Sequence, residues 1–360
     1  MRTDDLTLLA LRLREPVEQA MRIRSATLSR RGMVFRGALL MAPGDAVAFL
    51  RERLGAIGFV PLLSRRGEEC EIRLARDVAP PRANPLVNLL LFALTVYSTL
   101  LVGAANAGVD IVAHPGRLAA GIPFSASLLA ILIVHEFGHF FMAAYHGVRA
   151  TLPYFIPAPT AIGTLGALIK TQSFIPGRKA LLDIGVAGPI CGFIVALVAL
   201  GVGLARSEVV EIAPLLRAGR VDYFGDSLAV WVMTLLVKGG IAEGRDVVLH
   251  PVAFAGWVGL LVTAFNLMPV GQLDGGHIAY AVAGRGHSFI ARVALAALLA
   301  LGFLWRPWWI WVLLILALGP GHSPPLDDVT PIGRGRTWIA FAAALILVLC
   351  FVPVPISARG

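Results

Sequence analysis

The chain reads as a mainly α-helical polytopic membrane protein, with about 6–8 transmembrane helices and a re-entrant β-hairpin. A small soluble α+β domain of βαββ pattern precedes them. Three observations predict this. Of 360 residues, 57% are hydrophobic and only 15% charged, where a soluble globule carries about 25%. Residues 1–82 hold 15 arginines and 10 acids and no span-length apolar run, whereas such runs recur throughout 83–360. Glycine (38) and proline (23) are abundant, as in broken or closely packed spans.

Taken in order, Met33–Leu40 reads as a strand and Pro43–Leu54 as a helix, with Pro43 and Asp45 near its start. Phe59–Leu63 and Glu69–Leu74 alternate as two further strands. This domain serves either as a stabilising cap or as a regulatory, partner-binding module. Asp77-Val-Ala-Pro-Pro-Arg82 is a linker. Spans are expected at 86–104, 123–146, 180–205, 250–270, 288–305, 307–319 and 337–353. Trp305, Trp308, Trp309 and Trp311 form an aromatic belt. Residues 227–241 are amphipathic and suit a surface helix or a partial span.

The net charge of +9 excludes little by itself. No basic stripe is interleaved with aromatics, so nucleic acid is not expected as a partner. The lipid bilayer is. Arg149, Lys170, Arg178 and Lys179 follow the second span, while the preceding loop holds only Arg117. The positive-inside rule then puts residues 1–82, with Arg82, in the cytoplasm, and a bacterial-type plasma membrane is the default location. Cys70, Cys191 and Cys350 lie far apart and form neither a disulfide framework nor a metal cluster. Met1-Arg-Thr-Asp-Asp5 carries acids and no apolar secretory core, so no cleaved leader is expected.

The chemistry concentrates at His135-Glu-Phe-Gly-His139, inside the second span after Ser127–Val134. Histidines four residues apart share one helix face, the spacing that suits a divalent metal. Two imidazoles and a carboxylate are costly in hydrocarbon unless something pairs with them, and one zinc ion is such a partner. A catalytic zinc takes three protein ligands and leaves a position open. For the third, Asp274 stands out in Asn266-Leu-Met-Pro-Val-Gly-Gln-Leu-Asp-Gly-Gly-His277. There Pro269 removes a backbone donor, and Gly275 and Gly276 permit non-helical angles that turn the carboxylate inward. Its plain alternative is an Asp–Gly turn at a membrane exit. Glu136 points about 100° away from His135, towards a metal-activated water, and is the candidate general base. Asn266 is placed to bind substrate backbone or the oxyanion, or to cap and glue helices. His146 reads as interfacial and His277 as either a support of the metal ligands or a loop residue. His114, His250, His287 and His322 fall in loops and receive no role.

With these residues the chain resembles the site-2 protease family of intramembrane zinc metalloproteases. His135, Glu136 and His139 match its His-Glu-x-x-His motif. Asn266, Pro269, Leu273, Asp274 and Gly275 match its Asn-x-x-Pro and Leu-Asp-Gly motif. The resemblance covers about residues 86–355. It implies His135, His139 and Asp274 as zinc ligands, Glu136 as catalytic acid/base and membrane-tethered proteins as substrates. One departure is visible: the motifs are separated by a loop over 206–249, and no PDZ-sized insert lies between them.

Leu152–Pro159 and Gly163–Ser173 are too broken for helix and read as a re-entrant hairpin beside the site, either packing the bundle or serving substrate. In the second case the strand near 164–172, with Gly166 and Leu168, pairs with unwound substrate by β-augmentation. Gly185, Gly188, Pro189 and Gly192 read as close-packing positions in the next span. A transporter using His and Asp as a proton or metal relay is the alternative function. It expects ionisable groups in several spans and repeat symmetry, neither of which is visible. A catalytically dead chaperone of this fold is disfavoured because Glu136 and every ligand are present. Glu208, Glu211 and Glu243 as third ligand are disfavoured by their extracytoplasmic loop.

Overall fold

A computed structural model of the chain describes residues 3–29, 32–77, 83–218, 221–319 and 321–359. The greater part of the expected linker, with Arg82, lies outside the described residues. The N-terminal region runs α1 (Thr3–Ala20), β1 (Met21–Ser29), β2 (Gly32–Leu39), α2 (Pro43–Gly55), β3 (Phe59–Arg66) and β4 (Glu69–Arg76). It is richer than βαββ by α1 and β1. Both escaped the sequence reading for physical reasons: Pro16 stands inside α1, where proline ordinarily argues against helix. In β1, Arg22 and Arg24 break up the apolar signal. The strands form one antiparallel sheet in the order β1-β2-β4-β3. Phe35, Leu50, Leu54, Ile72 and Leu74 are fully buried in the core beneath it. On the opposite face Glu71 accepts from Arg36 at 2.9 Å and Arg73 at 3.2 Å. Burial alone would raise its carboxyl, but these two guanidiniums win and hold it below the usual range.

The membrane region begins with α3 (Pro85–Asn106), a 3-10 turn at Pro115–Gly121 and α4 (Ile122–Tyr145). Next come the hairpin β5 (Tyr154–Pro157) and β6 (Thr164–Leu168), then α5 (Arg178–Arg206). The hairpin lies along α3, whose polar side chains satisfy backbone carbonyls in and beside it. Asn88 donates to the carbonyls of Leu152 and Pro153 at 2.8 and 2.9 Å, and Ser98 to that of Gly163 at 2.6 Å. Irregular backbone at membrane depth requires such partners.

Between α5 and the next apolar helix come β7 (Glu208–Glu211), α6 (Ile212–Ala218), β8 (Val221–Phe224), α7 (Leu228–Lys238) and β9 (Arg245–Val248). No PDZ-like unit occurs among them. The chain continues through α8 (Pro251–Asn266), α9 (Asp274–Ala283), α10 (His287–Leu301), α11 (Pro307–Leu318), α12 (Arg334–Cys350) and β10 (Ile356–Arg359).

Among the described residues four stretches are long and apolar enough to cross a membrane: Pro85–Asn106, Pro115–Tyr145, Arg178–Arg206 and Asp274–Leu301. The last is divided by a 3-10 turn at Gly284–Gly286, where Gly284 takes φ +53°. Its halves pack apart, Ile278 and Ala281 in the main core, Ala291 and Leu298 with Met268 and Val270. The seven expected spans all correspond to helices, with α8, α10, α11 and α12 shorter at 16, 15, 12 and 17 residues. The span expected at 250–270 does not end at its motif. It breaks there and resumes as α9.

Two ends of the bundle are distinguishable. Phe174, Leu326 and Val329 join the N-terminal core. At the other end β8 pairs with β10 and β7 with β9. The indoles of Trp305 and Trp308 donate there to the carbonyls of Ile356 and Pro353.

Candidate metal centre

Helix α4 carries His135, Glu136 and His139, each at most 6% exposed. Its neighbour α5 makes room for the imidazoles. A Cβ on Gly188 would lie 2.1 Å from His139 Nε2, and one on Gly192 would lie 2.9 Å from His135 Nδ1. These glycines are the wall against which the rings rest, a more specific role than the helix packing expected of them. His139 Nδ1 lies 2.7 Å from the Ile184 carbonyl. The helical ladder beside it is already loosened by Pro189, which has no N–H to offer Gly185. A proton on Nδ1 donated to that carbonyl leaves Nε2 with a bare lone pair aimed inward.

Asp274 arrives from the break between α8 and α9. It occupies the first turn of α9, where the positive end of the helix favours a carboxylate. The break folds tightly over the helix start: a Cβ on Gly275 would meet the Leu267 carbonyl at 1.9 Å, and one on Gly276 the Gly271 carbonyl at 2.4 Å. Only glycine admits that approach.

The three groups converge. His135 Nε2 and His139 Nε2 are 3.1 Å apart, and Asp274 Oδ2 lies 3.2 Å from His139 Nε2 and 3.3 Å from His135 Nε2. Three electron-rich atoms packed this closely repel unless a proton or a metal ion sits among them. Ligand atoms about 2.0–2.1 Å from zinc at tetrahedral angles are separated by about 3.3 Å, which matches the triangle. The donor set therefore fits zinc. Among the described residues this is the one group of three His, Cys, Asp or Glu side chains close enough to hold a metal ion.

Around the triangle, Asn266 Nδ2 lies 3.2 Å from His135 Nε2. Glu136 faces the hairpin, where the Ile169 backbone is hydrogen-bonded to its carboxylate. Gly166 and Leu168 sit in β6, outside the metal cluster. The Gly166 N–H donates to Thr164 Oγ1 at 3.0 Å, and Leu168 is exposed and pairs with Tyr154. Among the described residues β6 pairs with β5 alone, so its other edge has no partner strand, and at Gly166 both the N–H and the carbonyl are held by Thr164 Oγ1.

His146 stands apart from the triangle, 2.9 Å from Asp183, which also takes a bidentate contact from Arg336. His277 meets His322, and His250 caps α8 through its Nδ1. Three participants escaped the sequence reading: Asp183, Tyr280 and the loop residue His322. Asp183 was legible as a charge at the head of an apolar run. Tyr280 and His322 carried no local signal.

A candidate metal centre of two buried histidines and a half-buried aspartate, with an adjacent glutamate, set among apolar membrane helices, points to a class: an integral membrane protein with the donor set of a zinc hydrolase. Peptidase family M50 matches residues 123–304. The chain belongs to that family, the site-2 proteases it resembles. It is 32% identical over 310 residues to "Probable zinc metalloprotease EGY1, chloroplastic" of Oryza sativa subsp. japonica, covering 78% of this chain and 53% of the relative. It is 34% identical over 240 residues to the Arabidopsis thaliana protein of that name, covering 65% and 43%. To "Probable zinc metalloprotease EGY2, chloroplastic" of Arabidopsis thaliana it is 30% identical over 243 residues, covering 67% and 43%. The chain thus spans about half the length of the curated relatives it matches. No solved structure matches it.

Proposed function

We propose that the protein is an intramembrane zinc metalloendopeptidase that hydrolyses peptide bonds of membrane-tethered proteins within or near their spans. The observation that carries this reading is the triangle of His135, His139 and Asp274 with Glu136 beside it, next to a β6 edge that has no partner strand among the described residues. When bound, zinc supplies a Lewis acid that brings the acidity of water towards neutral pH.

The chain's own residues do the rest. The edge of β6 around Gly166 and Leu168 binds an unwound segment of substrate by backbone hydrogen bonds, since a helical peptide bond hides its carbonyl. Glu136 takes a proton from the attacking water as the carbon–oxygen bond forms. It then delivers that proton to the nitrogen as the carbon–nitrogen bond breaks. The Asn266 amide donates to the carbonyl oxygen as charge builds on it.

Residues 1–82 are assigned as a soluble domain and 83–360 as the protease domain. The soluble domain lies on the side that bears Arg149, Lys170, Arg178 and Lys179, the cytoplasmic side by the positive-inside rule. The curated relatives are chloroplastic by name, so the bacterial plasma membrane expected from the sequence draws no support from them. The sidedness argument is the same for either membrane.

Glu136→Gln is expected to keep one zinc per chain and lose cleavage by about 10³-fold or more. Metal analysis and cleavage of a tethered reporter in proteoliposomes read the two quantities. Wild-type cleavage by this variant removes the hydrolytic assignment. Leu168→Pro tests the strand: a folded variant that still cleaves normally rules out β-augmentation.

A further inference from the structure

We propose that Tyr280, through Asp328, is a positioning residue for Asp274, and that residues 321–328 strap the N-terminal domain to the helix carrying that ligand. The inference rests on the zinc-site reading above.

The strap joins β3 through a single parallel bridge between Leu63 and Asp327. The Leu63 N–H donates to the Leu326 carbonyl at 2.7 Å, and the Asp328 N–H to the Leu63 carbonyl at 3.0 Å. On its other side Leu326 and Asp327 donate to the carbonyls of Ile175 and Pro176, both at 3.0 Å. Residues 326–328 therefore link β3 to the segment that opens α5 through isolated parallel bridges from Asp327 to Leu63 and Gly177. Leu326 is buried in the N-terminal core itself.

From there the strap grips α9 along its length. Tyr280 OH donates to Asp328 Oδ2 at 3.0 Å. Arg178, 3.9 Å from Asp328, donates to the carbonyls of Ala281 and Val282 at 2.9 Å each. Nearer the metal centre, His322 stacks on Tyr280 and meets His277, and Gln272 donates to the Gly321 carbonyl at 3.0 Å. Tyr280 lies about 9 Å along the helix axis from Asp274. Helix α9 has only 10 residues, so it moves as one body. A displacement at Tyr280 reaches the carboxylate, whose place in a triangle of 3.1–3.3 Å edges leaves little slack. Conversely, a metal that pulls Asp274 into place tightens the strap on β3, because coupling between two sites is reciprocal.

The test uses the full-length protein in detergent with zinc alone as the probe. Tyr280→Phe keeps the ring and its stacking and loses only the hydroxyl. We expect it to release zinc to a chelator about 10-fold faster. Asp328→Ala should do the same, the double variant should be no faster than either, and Asp328→Asn, which still accepts from Tyr280, should recover most of the loss. Hydrogen exchange gives a second readout: zinc should slow exchange in 59–66 of the wild type, and Tyr280→Phe should abolish that response. Wild-type release by Tyr280→Phe, strictly additive effects, or zinc-independent exchange in 59–66 would each overturn the proposal. Failure of the wild type to bind zinc at all is a different result, and it overturns the metalloprotease reading instead.

Discussion

Two clusters of histidines meet on α9, and they differ in what converges on their nitrogens. In the first, His135 and His139 turn their Nε2 atoms towards each other and towards Asp274, with edges of 3.1–3.3 Å. In the second, His277 Nδ1 meets His322 Nε2 as a pair, and the His287 and His322 rings pack against Tyr280. His322 stacks on Tyr280 at 4.5 Å, and the His287 and His322 rings are 5.9 Å apart. Burial, reinforced by its histidine neighbours, holds His322 neutral, pushed down to about 3. The lesson is that histidine number does not make a metal site. A third ligand atom converging on the pair, here the Asp274 carboxylate, makes a candidate one.

The largest test of that contrast removes one imidazole from each cluster. His139→Ala should drop zinc from one per chain to below about a tenth. His287→Ala should leave it near one, as measured by elemental analysis. Zinc loss in both variants would merge the clusters into one site.

Next in size, Gly188→Ala forces a Cβ to within 2.1 Å of His139 Nε2. Chelator competition should show zinc affinity reduced by about 100-fold. Gly192→Ala, with its Cβ 2.9 Å from His135 Nδ1, should cost about 10-fold. The reverse order would mean that the wall of α5 does not hold the rings as described. Asn266→Ala should keep zinc and lower kcat by about 100-fold, the effect of removing one oxyanion donor. A loss of zinc instead would make Asn266 a support for His135.

The smallest effect belongs to the second cluster and is a proton effect. The folded-state pKa of His322 lies below its unfolded value near 6.5, so the unfolded chain takes up the extra proton as pH falls. Its contribution to stability is intact above about pH 6.5 and is lost progressively below it, with a slope approaching one proton. The apparent melting temperature of the wild type should therefore fall between pH 7 and pH 5, and His322→Phe should flatten that dependence. An unchanged dependence would place the acid sensitivity elsewhere.

Much of the architecture was legible because it is local. Apolar runs mark helices regardless of what packs against them, so all seven expected spans correspond to helices. The hairpin was legible from prolines and glycines that no helix tolerates. What stayed hidden is instructive. Helix α1 hid behind Pro16 and β1 behind its arginines. The break after Asn266 looked like the end of a span, because a chain that stops and one that resumes read alike until α9 is seen. Gly188 and Gly192 announced small residues at a close approach without saying that the approaching groups were imidazoles.

Sequence alone determined the membrane class, the helical face shared by His135 and His139, the position of Glu136 a residue away, and the glycine-rich turn that frees Asp274. Each is a property of spacing along one segment, and spacing survives without knowledge of neighbours. Tertiary structure decided what those segments face. His139 and Asp274 are 135 positions apart, and their 3.2 Å approach depends on α5 presenting bare backbone at Gly188. The docking of strap 321–328 between β3 and α9 was likewise invisible. Its hydrogen bonds to β3 are backbone to backbone, and every residue except proline carries the same donor and acceptor, while those to α9 run through side chains that only the fold brings together.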